Sequence, residues 1–130
     1  MMLGLAVVAG CPTMDYGELP SDPARCMPSR DYFEATLWPE YIVNDEPAKT
    51  CVPAGACHAS GGSGGIVRFL TDPVDLDHNY EVAIDARLLC GAPEGSDFVT
   101  RPLGISHGGG ELFDRDDEEY AIFLAWFAAP

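Results

Sequence analysis

The string Cys51-Val52-Pro53-Ala54-Gly55-Ala56-Cys57-His58 places two thiols and an imidazole within one short stretch of chain. A thiol pair followed at once by His is the pattern of covalent haem attachment, whose usual spacing is C-x-x-C-H. In that chemistry the two thiols add across the two vinyl groups of the porphyrin, and the following His reaches back to bind the iron. Here five residues, Val52 to Ala56, separate the thiols. Two other chemistries use the same residue types. Cys51 and Cys57 could close a small disulfide loop of the kind common in exported chains, leaving His58 as an ordinary surface residue. Alternatively, Cys51, Cys57, His58 and His107 make up a Cys2His2 zinc set, which export disfavours because it oxidises unprotected thiols.

Several elements must position this stretch. The spacing predicts a helix over 31–43, with Ser29 as N-cap and Phe33, Leu37 and Tyr41 on one face. Pro39 interrupts it and predicts a kink or two short helices in series. After the motif comes a flexible turn, Gly61-Gly62-Ser63-Gly64-Gly65, and then Ile66 to Leu70, a short strand or extended segment. A second helix is expected over 79–89, followed by a Gly- and Pro-rich loop over 91–110; loops of that length are usually functional. Asp116-Asp117-Glu118-Glu119 puts negative charge at the start of a last helix, where it favours the macrodipole. Tyr120, Phe123, Leu124 and Phe127 form its stripe, and Ile122 and Trp126 make the rest apolar enough to expect near-complete burial. The predicted class is mainly α, with two or three short helices joined by long loops.

The 130 residues suit one domain. Met1 to Gly10 are apolar and uncharged, too short to span a bilayer, and match the h-region of a signal peptide. Val8-Ala9-Gly10-Cys11 resembles a bacterial lipobox, which makes Cys11 the expected lipidation site and new N-terminus, although no Lys or Arg precedes the apolar run. Residues 11–30 are Pro-rich and are expected to form an extended tether, with the domain proper over 31–130. Five cysteines suit an oxidising compartment. With Cys11 assigned to lipid and Cys51 and Cys57 to haem, Cys26 and Cys90 remain as a candidate disulfide, a partition that sequence does not fix. Seven basic residues face 21 acidic ones, for a formal charge of −14. That balance excludes nucleic acid and phosphate-rich surfaces; it either favours a basic docking partner or, the simpler reading, keeps an exported protein soluble. No nucleophile elbow, phosphate loop or zinc-protease helix is present.

The order of motifs resembles that of the cytochrome-c-like domains of secreted bacterial proteins. The residues that carry the likeness are an aromatic helix with Trp38-Pro39, then Gly55-Ala56-Cys57-His58 and a Gly-rich turn. Arg101-Pro102, His107-Gly108-Gly109-Gly110 and a terminal helix with Tyr120 and Trp126 follow, so that the likeness covers Tyr32 to Phe127. This chain departs from the pattern by one extra residue between the thiols and by Arg101 where a Lys is usual. The resemblance implies a small cytochrome c-like fold, with the first and last helices crossing and one covalent haem c between them, held by Cys51, Cys57 and His58. It also implies electron transfer rather than catalysis. Haem iron in a simple carrier takes two axial ligands, commonly His with Met. Met1, Met2, Met14 and Met27 all precede Cys51, in the expected signal and tether, so the second ligand falls to a His. His107 lies where the family has its His, in a loop whose glycines let the backbone approach a flat macrocycle. His78 is the other candidate, although among Asp75, Asp77 and Asn79 it reads as a solvated helix start. The expected setting is the periplasm or cell surface of a bacterium, with a lipid anchor as the only membrane contact and redox proteins as partners. The alternative is a haem-free, disulfide-bonded surface lipoprotein that serves as a binding module.

Overall fold

A computed structural model describes residues 25–44, 50–52, 57–60, 62 and 64–130. The apolar leader, Cys11 and the first part of the expected tether lie outside the described residues. Among these the chain is mainly helical, and its extended pairing is limited to isolated bridges such as the parallel one between Ala59 and Phe69.

Helix α1 (Arg30–Tyr32) starts at Ser29, whose Oγ accepts from the Tyr32 N–H at 3.3 Å, satisfying one of the orphan donors of a helix start. It runs on into a π-helix, Phe33–Ile42, which contains Pro39 and continues past it. Proline has no N–H, and its ring collides with the carbonyl four residues back in an α-helix. Winding the segment one residue wider per hydrogen bond, as in Val43 N–H to Trp38 O at 3.1 Å, admits the ring without breaking the element. The wider period also changes the buried face. Phe33, Leu37, Trp38 and Ile42 are buried, while Tyr41, expected in the stripe, is only half-buried.

Helix α2 (Leu76–Ile84) begins before the expected Asn79, because Asp75 caps it by accepting from the His78 N–H at 2.9 Å. It ends short of the expected Leu89, and the chain turns through Arg87 in the left-handed region at φ 43°. The expected loop over 91–110 contains a 3-10 turn, Pro93–Gly95, and a short helix α3 (Asp97–Thr100) whose Phe98 and Val99 are buried. Helix α4 (Glu118–Ala128) follows its acidic start as expected, but burial is one-sided: Phe123 and Trp126 are buried, whereas Tyr120, Leu124 and Phe127 are half-buried.

The first and last helical segments pack directly on each other through Phe33 and Trp126, with ring centroids 5.7 Å apart, and Tyr41 and Phe123 at 6.0 Å. Trp126 Nε1 donates to the Ser29 carbonyl at 2.8 Å, and Ser29 Oγ donates to the Pro130 carbonyl at 2.6 Å. Residues 25–30 are therefore part of the packed body rather than tether. Arg25 pairs with Asp85 at 2.5 Å, the Tyr80 hydroxyl donates to the buried Pro28 carbonyl at 2.6 Å, and Cys26 is disulfide-bonded to Cys90 with Cα atoms 5.3 Å apart.

Candidate functional site

A cavity of about 560 Å³ opens between the motif, the segment Gly64–Phe69, helix α3 and the loop that carries His107. Cys51, Cys57, His58 and His107 all line it, and Phe69, Phe98, Leu112 and Phe123 supply apolar walls. The first and last helical segments were expected to clasp the haem; of the two, only α4 reaches the cavity, through Phe123. The π-helix instead fills the space behind it with aromatic core.

His58 is held from two sides. Asn79, fully buried on α2, donates from Nδ2 to the Leu70 carbonyl at 2.8 Å and accepts from the Leu70 N–H at 2.7 Å. That pins the extended segment, whose Phe69 N–H donates to the His58 carbonyl at 2.7 Å and whose Val67 carbonyl lies 2.9 Å from His58 Nδ1. Gly64 folds back against the motif, and a Cβ there would strike the Cys57 carbonyl and the His58 ring. His107 is held by its own turn: its Nδ1 lies 2.8 Å from the Gly110 carbonyl, and Gly110 takes φ 82°, which an L side chain rarely adopts. Arg101 donates to the Ser106 carbonyl and pairs with Asp97 at 3.5 Å, tying this loop to α3.

The two imidazoles therefore share one arrangement. A carbonyl on Nδ1 fixes the proton there and leaves the Nε2 lone pair to act as a ligand, the usual second-shell pattern of a metal-binding His. Their ring centroids are 6.0 Å apart and their planes 15° from parallel. To share one metal ion each Nε2 must point at it, whereas these two rings are stacked, so ligation of one ion would require them to turn edge-on.

Cys51 and Cys57 are free thiols, not the disulfide loop that their spacing also allowed. Burial pushes the Cys51 thiol up to about 12, with a further push from Cys57, which keeps it protonated at neutral pH. The His58 N–H donates to the Cys51 carbonyl at 3.2 Å, so both ends of the motif meet at one wall of the cavity. Among the described residues no three or more His, Cys, Asp or Glu side chains converge as a metal set, so the four residues of the zinc alternative do not assemble as one. Two imidazoles and two free thiols thus stand on the wall of one largely apolar cavity.

His78 is exposed at the start of α2 and does not line the cavity, and neither does Met27. Sequence reasoning missed Asn79, the Val67 and Gly110 carbonyls, Phe98 and Arg87. A buried Asn on an otherwise apolar helix face was the one available signal. No protein-family model, curated protein or solved structure matches this chain.

Proposed function

We propose that this chain is a single-haem c-type cytochrome with bis-histidine axial ligation, a cytochrome c-like fold and a role in electron transfer. The observation that carries this reading is the pair of facing imidazoles, each with Nδ1 on a carbonyl, in an apolar cavity whose wall also holds two free thiols. In this reading Cys51 and Cys57 would carry the covalent links to the haem, and His58 and His107 would bind its iron. A bound haem supplies a one-electron ferric/ferrous couple. The chain's own residues orient both axial rings, exclude water behind Phe69, Phe98 and Phe123, and tune the couple through ligand identity and burial. The expected export and lipidation at Cys11 belong to the same reading, as does a partner of opposite charge, since a chain of formal charge −14 steers toward basic surfaces.

Expression in a host with an active cytochrome-maturation system tests this. The purified protein should be red, with a Soret band and a mass increased by one haem that survives acid–acetone extraction. Unmodified, colourless protein from such cells overturns the reading and leaves the haem-free binding module.

A further inference from the structure

Four charged side chains line the cavity: Asp85, Arg87, Asp97 and Arg101. Three are engaged with other groups. Asp85 pairs with Arg25 at 2.5 Å, while Asp97 and Arg101 pair at 3.5 Å and Arg101 also donates to the Ser106 carbonyl. Arg87 is different. Arg25, Arg30, Arg68, Arg101 and Arg115 each place the guanidinium on a carboxylate, a carbonyl or a hydroxyl. Among the described residues, the Arg87 side chain makes no such bond. Arg68 and Arg115 also lack a carboxylate but each donates to another protein oxygen, so among the described residues the exposed Arg87 is set apart by having no side-chain partner at all.

The backbone adds a second observation. Arg87 sits at φ 43°, held by its N–H to the Asp85 carbonyl at 2.9 Å and by its carbonyl, which accepts from the Asp97 N–H at 3.3 Å. Glycine takes that conformation freely and arginine at a cost, so the turn itself gives no reason for a long cationic side chain. What the turn does is present that side chain at the edge of the cavity.

We propose that Arg87 is the carboxylate anchor of this cavity and, resting on the haem reading above, that it holds a haem propionate. Haem is flat and apolar apart from two carboxylates, and the cavity matches it with apolar walls and one uncommitted cation among its described lining residues. A guanidinium meets a carboxylate through two parallel N–H···O bonds, which fixes orientation as well as charge. Arg101, already tied to Asp97 and Ser106, is instead a positioning residue for the His107 loop.

The test compares haem-loaded wild type with Arg87→Gly, Arg87→Lys and Arg115→Gln. Arg87→Gly suits the left-handed turn, so the fold is retained while the guanidinium is lost. A cation beside the macrocycle favours the less positive ferrous state. Its removal should therefore lower the ferrous-to-ferric ratio at fixed ambient potential about tenfold, or about 59 mV for a one-electron couple. Arg87→Lys should restore most of that shift, while the propionate bending mode in the resonance Raman spectrum moves in both variants, because neither has the two-pronged donor. Arg115→Gln removes the same charge outside the cavity lining and should move the potential far less. The inference is overturned if Arg87→Gly shifts the potential no more than Arg115→Gln does, or leaves the propionate mode unchanged. Wild-type protein that takes up no haem overturns the haem reading itself, and this inference with it.

Discussion

His107 is the residue on which the most specific expectation rests. Its ring is stacked on His58 at 6.0 Å with Nδ1 held by the Gly110 carbonyl, and under the haem reading proposed above His107→Ala should open the sixth position. The ferric protein should then change from low-spin to high-spin and bind imidazole or cyanide in solution. His78→Ala, at an exposed position outside the cavity, should leave the spectrum as it is. A high-spin shift in His78→Ala instead, measured by absorption and electron paramagnetic resonance, would reverse the assignment. The thiols differ in the same residue-by-residue way. His58 directly follows Cys57, so Cys57→Ala or His58→Ala should abolish stable haem incorporation, whereas Cys51→Ala should leave haem on one thioether, separable by mass spectrometry after proteolysis. The reactive side chains of this site were readable from sequence because thiols and imidazoles carry their chemistry in their residue type. The groups that aim them were not. The Val67 and Gly110 acceptors are backbone carbonyls, which every residue has, and only the fold decides which of them meets a ring.

At the scale of elements, α2 and the extended segment behind His58 act as a unit joined by Asn79. Asn79→Ala would leave the half-buried Leu70 N–H and carbonyl without their partner, at up to about 1–3 kcal/mol for each such group. The expected loss is therefore about 2–4 kcal/mol in denaturant unfolding, with an axial-ligand spectrum that broadens as the Val67 carbonyl loses its fixed position. A neighbouring exposed change, His78→Ala, should stay within about 0.5 kcal/mol of wild type. A loss under about 1 kcal/mol for Asn79→Ala would mean that the segment is positioned by packing of Phe69 alone. Legibility at this scale follows length and regularity. Helix α4 announces itself by an acidic start and a run of aromatic residues, and its place was read correctly. The π-helix has an ordinary helical sequence interrupted by Pro39; the rule that proline bends an α-helix gives no warning that a wider winding will absorb it. Helix α3 is four residues long, shorter than the period that pattern reading needs, so its two core residues, Phe98 and Val99, vanished into an expected loop.

For the molecule as a whole, stability must come from a small aromatic core working against self-repulsion. Phe33, Phe98, Phe113, Phe123 and Trp126 are buried together, while the formal charge of −14 favours expansion. The ion pairs of Arg25 and Arg30 lie at exposed positions, where such pairs contribute little. The Cys26–Cys90 bond offsets this balance, since it joins positions 64 residues apart. In the chain-entropy treatment, a loop of that length stabilises the folded state by about 4 kcal/mol through restriction of the unfolded chain. For a domain near this size about 1 kcal/mol corresponds to roughly 4–8 °C in melting temperature. The double variant Cys26→Ser/Cys90→Ser should therefore melt about 15–30 °C below wild type by far-UV circular dichroism. The comparison must be made with both proteins in the same ligation state, because a ligand bound to the native fold raises the melting temperature by mass action. The variant should nevertheless fold and keep its axial-ligand spectrum at low temperature, because neither Cys26 nor Cys90 lines the cavity. A melting shift below about 5 °C would show that the packed contacts of residues 25–30, from Arg25 to Asp85 and from Tyr80 to Pro28, hold that segment in place without the bond.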